Sequence, residues 1–251
     1  MRTFRKRWLN TVQSPTCGAI ALVGSGEYLP VMTALESELL QLAVASGKPP
    51  FFLQIPTAAG AESEDRINHW HQLGKAQADR LGVESRSLPL YTREDAFNEE
   101  YVAIVEEAGL IYFSGGDPHY LASTLDDTPI WRAIVKAWNS GSSLMGCSAG
   151  AMAFGSEIIA IRKSKVSRGL GLLPNIRTIP HYDRFLGWVP DRIASTILRV
   201  EDGTNLVGID ENTALIRDGA ETSWRVWGEG KVHLLNREQP HSYSAGEIIS
   251  L

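Results

Sequence analysis

The sequence predicts an α/β fold: a three-layer, doubly wound, mostly parallel sheet with antiparallel hairpins added near the C-terminus. Two observations carry this. Along the first 150 residues, short apolar runs alternate with stretches of helical spacing, and such alternation builds parallel strands covered by helices on both faces. After residue 200 the pattern changes to short alternating runs separated by Asp-Gly and Gly-Glu-Gly, which reads as hairpins joined to the sheet edge.

Each element has its own local reason. GAIALVGSG (18–26), PPFFLQIPTA (49–58), GVESRSLPL (82–90), GLIYFSGG (109–116) and SSLMGCSAG (142–150) combine apolar, partly β-branched runs with Gly or Pro punctuation, and they read as strands. Helical spacing fills the intervals at 31–46, 64–81, 98–108 and 128–140. The last of these opens with Thr128 as N-cap and Pro129 at the first helical position. Further on, NIRTIP (175–180) and LVGID (206–210) are strand-like. Residues 1–17 read as an N-terminal extension, basic in its first seven positions but too polar for a secretory core. Residues 18–251 are expected to form one α/β domain, since a chain of this size buries a full core.

Composition narrows the function classes. A formal charge of −5 gives no support for nucleic-acid binding, and no apolar run approaches the roughly 20 residues of a membrane span. Only Cys17 and Cys147 are present, outside any CxxC or His-rich pattern, so neither a disulfide framework nor a metal site is indicated. The expectation is a cytoplasmic protein without cofactor, acting on small molecules or peptides.

In such sheets ligands sit beyond the carboxyl ends of the strands. Three ends are chemically loaded, GSGE, SGGDP and GCSAG, and they are expected to converge. GCSAG holds two nucleophiles side by side. A nucleophile elbow needs glycine two residues to either side, where a Cβ would clash in the strained turn. Centred on Ser148 the flanks are Gly146 and Gly150; centred on Cys147 they are Met145 and Ala149. The frame selects Ser148 and leaves Cys147 as a small buried hydrophobe. For the developing oxyanion, the N–H of Ala149 follows the nucleophile, and Gly115 and Gly116 offer bare N–H groups from the neighbouring strand.

A serine needs a base. His69 and His71 lie two apart on a predicted helix and face different ways, His233 falls on a late hairpin, and His241 lies near the C-terminus. His119, just after SGGDP, is placed to touch substrate or to begin a helix. His181, beyond the strand-like NIRTIP, is the strongest candidate. For the acid, Asp210 and Glu211 end the strand LVGID and point opposite ways by period-two alternation, so only one of them reaches His181. Glu157, read as two turns along the helix after Ser148, is the alternative.

Taken together, the IPTA strand end, GGD at the fourth strand, GCSAGA at the elbow, the His181-Tyr182 pair and GIDENTAL resemble the dipeptidase E and cyanophycinase family of serine peptidases over roughly residues 18–220. The resemblance implies a flavodoxin-like, class I glutamine amidotransferase-like fold. It also implies hydrolysis beside aspartyl residues, with Ser148 as nucleophile, His181 as base and Glu211 as acid. Gly116 and Ala149 then form the oxyanion hole, and Asp117, His119 and Arg184 are expected to contact substrate. The substrate is a small peptide or aspartyl derivative, handled by a monomer or a homodimer.

Some features that serve the cyanophycin polymer are not matched. GGDPH stands in place of GGDQ, Ile179-Pro180 in place of Asp-Gln before the histidine, and Arg184 and Arg192 in place of several arginines. A cation for an aspartyl carboxylate is expected from Arg184, Arg162 or Arg168. The competing readings are another amidase or esterase, a glutamine amidotransferase-like enzyme, or a non-catalytic homologue that keeps the scaffold.

Overall fold

A computed structural model of the chain describes residues 17–159, 166–184, 203–219, 221–235 and 241–251. The predicted extension apart from Cys17, Arg162 and Arg192 lie outside the described residues. Five parallel strands form the middle of the fold: β1 (Ile20–Val23), β2 (Phe51–Ile55), β3 (Glu84–Ser87), β4 (Leu110–Phe113) and β5 (Ser143–Cys147). Their spatial order is β1-β5-β4-β2-β3. Interleaved with them are helices α1 (Thr33–Ala45), α2 (Glu64–Leu81), α3 (Glu99–Glu107), α4 (Pro118–Leu125), α5 (Pro129–Asn139) and α6 (Ala149–Ala153).

Alternation along the strands sorts the core into two layers, because successive side chains leave opposite faces of the sheet. Ala21 and Val23 of β1, with Tyr112, Met145 and Cys147, pack under Leu35 and Leu39 of α1 and Ala78 of α2. Ile20 and Leu22 face the other way, with Phe113 and Leu144, against Val105 of α3, Leu121 of α4, Ile134 of α5 and Met152 of α6. Each of these fully buried Leu, Ile or Val side chains contributes about 1.5–3 kcal/mol. Among the described residues no helix is long and apolar enough to cross a membrane.

The local signals account for the helix limits. Ser63 caps α2 by accepting from the Arg66 N–H, and Gly82 ends it in the left-handed conformation at φ 68°. Thr128 accepts from the Trp131 N–H at the start of α5, with Pro129 behind it. Of the two readings of His119, the helix start is met: α4 begins immediately after SGG, where Asp117 accepts from the N–H groups of His119 and Tyr120.

The chain then forms β6 (Glu157–Ile158), β7 (Ser167–Arg168), β8 (Ile176–Ile179), β9 (Asn205–Ile209), β10 (Thr213–Arg217), β11 (Ser223–Gly228), β12 (Lys231–Leu234), β13 (His241–Ser244) and β14 (Ile248–Ser250). The strands from β10 onward are antiparallel additions, as expected, but they divide between two sheets, and β9 pairs in parallel with β8. β10, β11 and β14 extend the main sheet beyond β1, while β13-β12-β9 continue from β8 in a second sheet of four strands. The switch occurs within Asp210-Glu211-Asn212, where Asn212 takes φ 53°. NLVGIDENTALIRDG, which looks like one hairpin, thus crosses from one sheet to the other at its central carboxylates.

Candidate active site

β5 lies between β1 and β4, so the three loaded strand ends are neighbours. Ser148 follows β5 directly with φ 50° and ψ −106°, a conformation that L-residues rarely adopt. The turn is closed by its two glycines. A Cβ on Gly146 would stand 2.7 Å from the Gly150 carbonyl carbon, and one on Gly150 would stand 2.7 Å from the Phe113 oxygen. The Ser148 N–H donates to the Val23 oxygen at 2.9 Å, which ties the elbow to the end of β1.

Cys147 belongs to the opposite face. It is fully buried among Tyr112, Met145 and Val23. Burial first, and the neighbouring Glu27 carboxylate second, push its thiol well above the ordinary value. A thiol held protonated and out of solvent is a poor nucleophile.

His181 stands just beyond β8, with φ 50°. Its Nε2 lies 3.0 Å from Ser148 Oγ, and its Nδ1 lies 3.1 Å from Glu211 Oε1. With the proton on Nδ1, the ring donates to Glu211 and accepts from the serine hydroxyl, which satisfies both contacts at once. Glu211 is held in turn. Its N–H donates to Asp183 Oδ1 at 3.0 Å, and Arg184 Nη2 stands 3.4 Å from its second oxygen. Asp210 turns the other way and accepts from Lys231 N–H and His233 Nε2.

The other sequence candidates are placed as follows. Glu157 is not on the helix after Ser148, because α6 ends at Ala153 and Glu157 sits on β6, ion-paired with the buried Arg177. Just past the helix, Gly155 packs on β8, where a Cβ would stand 2.6 Å from the Ile176 oxygen. Gly116 (φ 140°) lies against Ala58, and Gly115 borders the nucleophile, since a Cβ there would be 3.5 Å from Ser148 Cβ. Ala149 is buried, and its N–H is the first of α6, where no intrahelical acceptor exists.

Asp117 and His119 line a cavity of about 460 Å³ with Tyr120, Asp126, Ser167 and Arg168. His119 Nδ1 contacts Ser167 Oγ, and Arg168 pairs with Asp126 at 3.6 Å. Within the strand end GSGE, Glu27 is a further neighbour of the site that the sequence does not single out. Glu27 Oε1 would lie 2.5 Å from a Cβ on Gly115, so its carboxylate borders the same small space as Ser148. Among the described residues no group of three or more His, Cys, Asp or Glu side chains is arranged to hold a metal ion.

Comparison with known proteins agrees with this architecture. The model of peptidase family S51 matches residues 20–224. A cyanophycinase of Synechococcus elongatus is 31% identical over 197 residues, covering 72% of this chain and 57% of its own length. One from Nostoc sp. is 29% identical over 185 residues, 65% of this chain and 59% of its own. The chain therefore spans less than two thirds of these curated relatives. The crystal structure of a peptidase from an acI-B1 Actinobacterium is 50% identical, with a TM-score of 0.91 over 95% of this chain and 99% of that one. A putative peptidase E protein from Listeria monocytogenes, 22% identical with a TM-score of 0.60 over 85% and 99% of the two chains, shares the fold. The family match begins at β1, passes through the elbow, His181 and the Glu211 turn, and ends in β11: the chain belongs to peptidase family S51.

Proposed function

We propose that this protein is a serine peptidase that cleaves a peptide or isopeptide bond beside an aspartyl residue through an acyl-enzyme on Ser148. The observation that carries the reading is the continuous hydrogen-bonded line from Ser148 Oγ through His181 to Glu211. Ser148 Oγ attacks the carbonyl while His181 Nε2 takes its proton. Glu211 stabilises the imidazolium and keeps the ring in the productive tautomer. The N–H groups of Ala149 and Gly116 donate to the tetrahedral oxyanion, a contribution of about 3–4 kcal/mol per donor in comparable sites. His181 then protonates the leaving amine and activates the water that releases the acyl group.

Selectivity for an aspartyl group is supported by Arg184, a cation beside Glu211 whose side chain is 63% exposed to solvent. The named activity of the cyanophycinase relatives points to the same substrate class. Asp117, His119 and Arg168 line a cavity whose walls do not include Ser148, His181 or Glu211, and we assign them to the rest of the peptide. We assign the activity to a single domain running from residue 18 to the C-terminus, as a monomer or homodimer, without metal or cofactor. Its two free cysteines suit a reducing cytoplasm.

A panel of α- and β-aspartyl dipeptides, cyanophycin, simple esters and glutamine tests this reading. Cleavage of aspartyl peptides by the native chain, absent in Ser148→Ala, is expected. Turnover confined to esters or glutamine would replace the peptidase reading.

A further inference from the structure

His233 lies outside the Ser148–His181–Glu211 line, yet it touches the chain neighbours of two of its members. Its Nε2 stands 2.9 Å from Oδ1 of Asp210, the residue before Glu211. Its ring centroid is 4.6 Å from that of Tyr182, the residue after His181. On its other side Nδ1 meets Ser242 Oγ at 2.8 Å, so both ring nitrogens are fixed. The pair is largely shielded, with side-chain exposures of 18% for His233 and 13% for Asp210.

Backbone pairing explains how one side chain reaches both loops. β12 runs antiparallel to β9 with His233 directly opposite Gly208. A Cβ on Gly208 would be 2.6 Å from Tyr182 Cγ, so the tyrosine ring lies on bare backbone beside the histidine. Asp210 is equally confined. A Cβ on Gly230 would stand 2.6 Å from Asp210 Cβ, and Asp210 Oδ2 accepts the Lys231 N–H at 2.9 Å. The Glu211 turn is where the chain leaves one sheet for the other, and His181 carries a positive φ. Both loops therefore depend on contacts from outside themselves to hold their geometry.

We propose that His233 is a positioning residue which, through Asp210 and Tyr182, sets the His181–Glu211 geometry. The proposal rests on the serine-hydrolase reading above. A misplacement of about 1 Å at a reacting group costs up to roughly 100-fold in rate even when its origin is remote, so releasing one tether is enough to register kinetically.

The test is the rate of Ser148 labelling by a fluorophosphonate, followed by intact mass and resolved into maximal rate and half-saturating concentration. His233→Phe keeps a ring on Tyr182 but removes both hydrogen bonds; its maximal labelling rate in the folded protein is expected to fall about 10- to 100-fold, with half-saturation near native and a lowered thermal midpoint from the carboxylate oxygen left without a partner. His233→Gln, which retains a donor for Asp210, is expected to recover most of the rate. Asp210→Asn combined with His233→Phe should be no slower than the slower single variant, because both break one contact. If His233→Phe does not fold, His233→Gln and Asp210→Asn are compared with native protein by the same rates.

Native labelling with unchanged rates in every folded variant would overturn the positioning role alone. So would losses that follow only the folded fraction, or a His233→Gln variant as slow as His233→Phe. Native protein that does not label would overturn the serine-hydrolase reading and this proposal with it.

Discussion

Ser148 and His181 meet at 3.0 Å between Oγ and Nε2, and each holds its backbone at φ 50°. Two strained residues thus face each other across the contact on which the chemistry depends. Such conformations cost about 1–3 kcal/mol each and persist where the surroundings dictate them. At Ser148 those surroundings are the close approach of Gly146 to Gly150, that of Gly150 to Phe113, and the hydrogen bond to Val23.

Replacing the serine by glycine should release that strain, whereas alanine should not. Ser148→Gly is expected to unfold at higher urea than Ser148→Ala, by about 1 kcal/mol, with both variants inactive. An alanine variant as stable as the glycine variant would mean that the elbow stores no strain.

Glu211 and the alternative acid Glu157 should separate by the property they affect. Glu211→Gln is expected to lower peptide turnover by roughly 10³- to 10⁴-fold, the scale seen when the carboxylate behind a catalytic histidine is neutralised, with little change in unfolding midpoint. Glu157→Gln should do the reverse, because it weakens the ion pair of the buried Arg177 and touches no part of the serine line. Steady-state kinetics and thermal melts on both variants decide this, and equal kinetic losses would reject the assignment.

A pH effect on stability is expected from Glu36, which is fully buried on α1 and accepts from Gln77. Burial raises its carboxyl from 4.5 to about 8, against the opposing pull of the Gln77 hydrogen bond and Arg80. Between these values the folded chain keeps a proton that the unfolded chain releases, so this group's contribution to stability falls as pH rises through that window. Glu36→Gln should match the native chain near pH 4.5 and exceed it increasingly up to about pH 8, by roughly 2–4 kcal/mol at most. Denaturant titrations across that range check this; a constant offset between the two chains would contradict it.

What was legible in the sequence was local. Ser63 and Gly82 bracket α2, Thr128-Pro129 opens α5, and the Gly146/Gly150 frame distinguishes Ser148 from Cys147 within a few residues. Asp117-Pro118 carries the same signal as Thr128-Pro129 and begins α4, but the glycines before it read as a strand-end loop. Glu157 is misplaced by spacing alone, because α6 ends at Ala153 with Gly155 one residue past its C-cap, a stop signal that the small-residue run before it obscures. Alternation predicts that Asp210 and Glu211 diverge. Which one faces His181 and which faces His233 depends on strands paired far apart in the chain.

The central claim is that Ser148, and not Cys147, is the reacting group. Intact-mass analysis of folded protein after fluorophosphonate treatment, with peptide mapping of the product, addresses it most directly. A single adduct is expected on Ser148 in the native chain, retained in Cys147→Ala and absent in Ser148→Ala. An adduct that survives in Ser148→Ala, or a native chain that takes none, would contradict it.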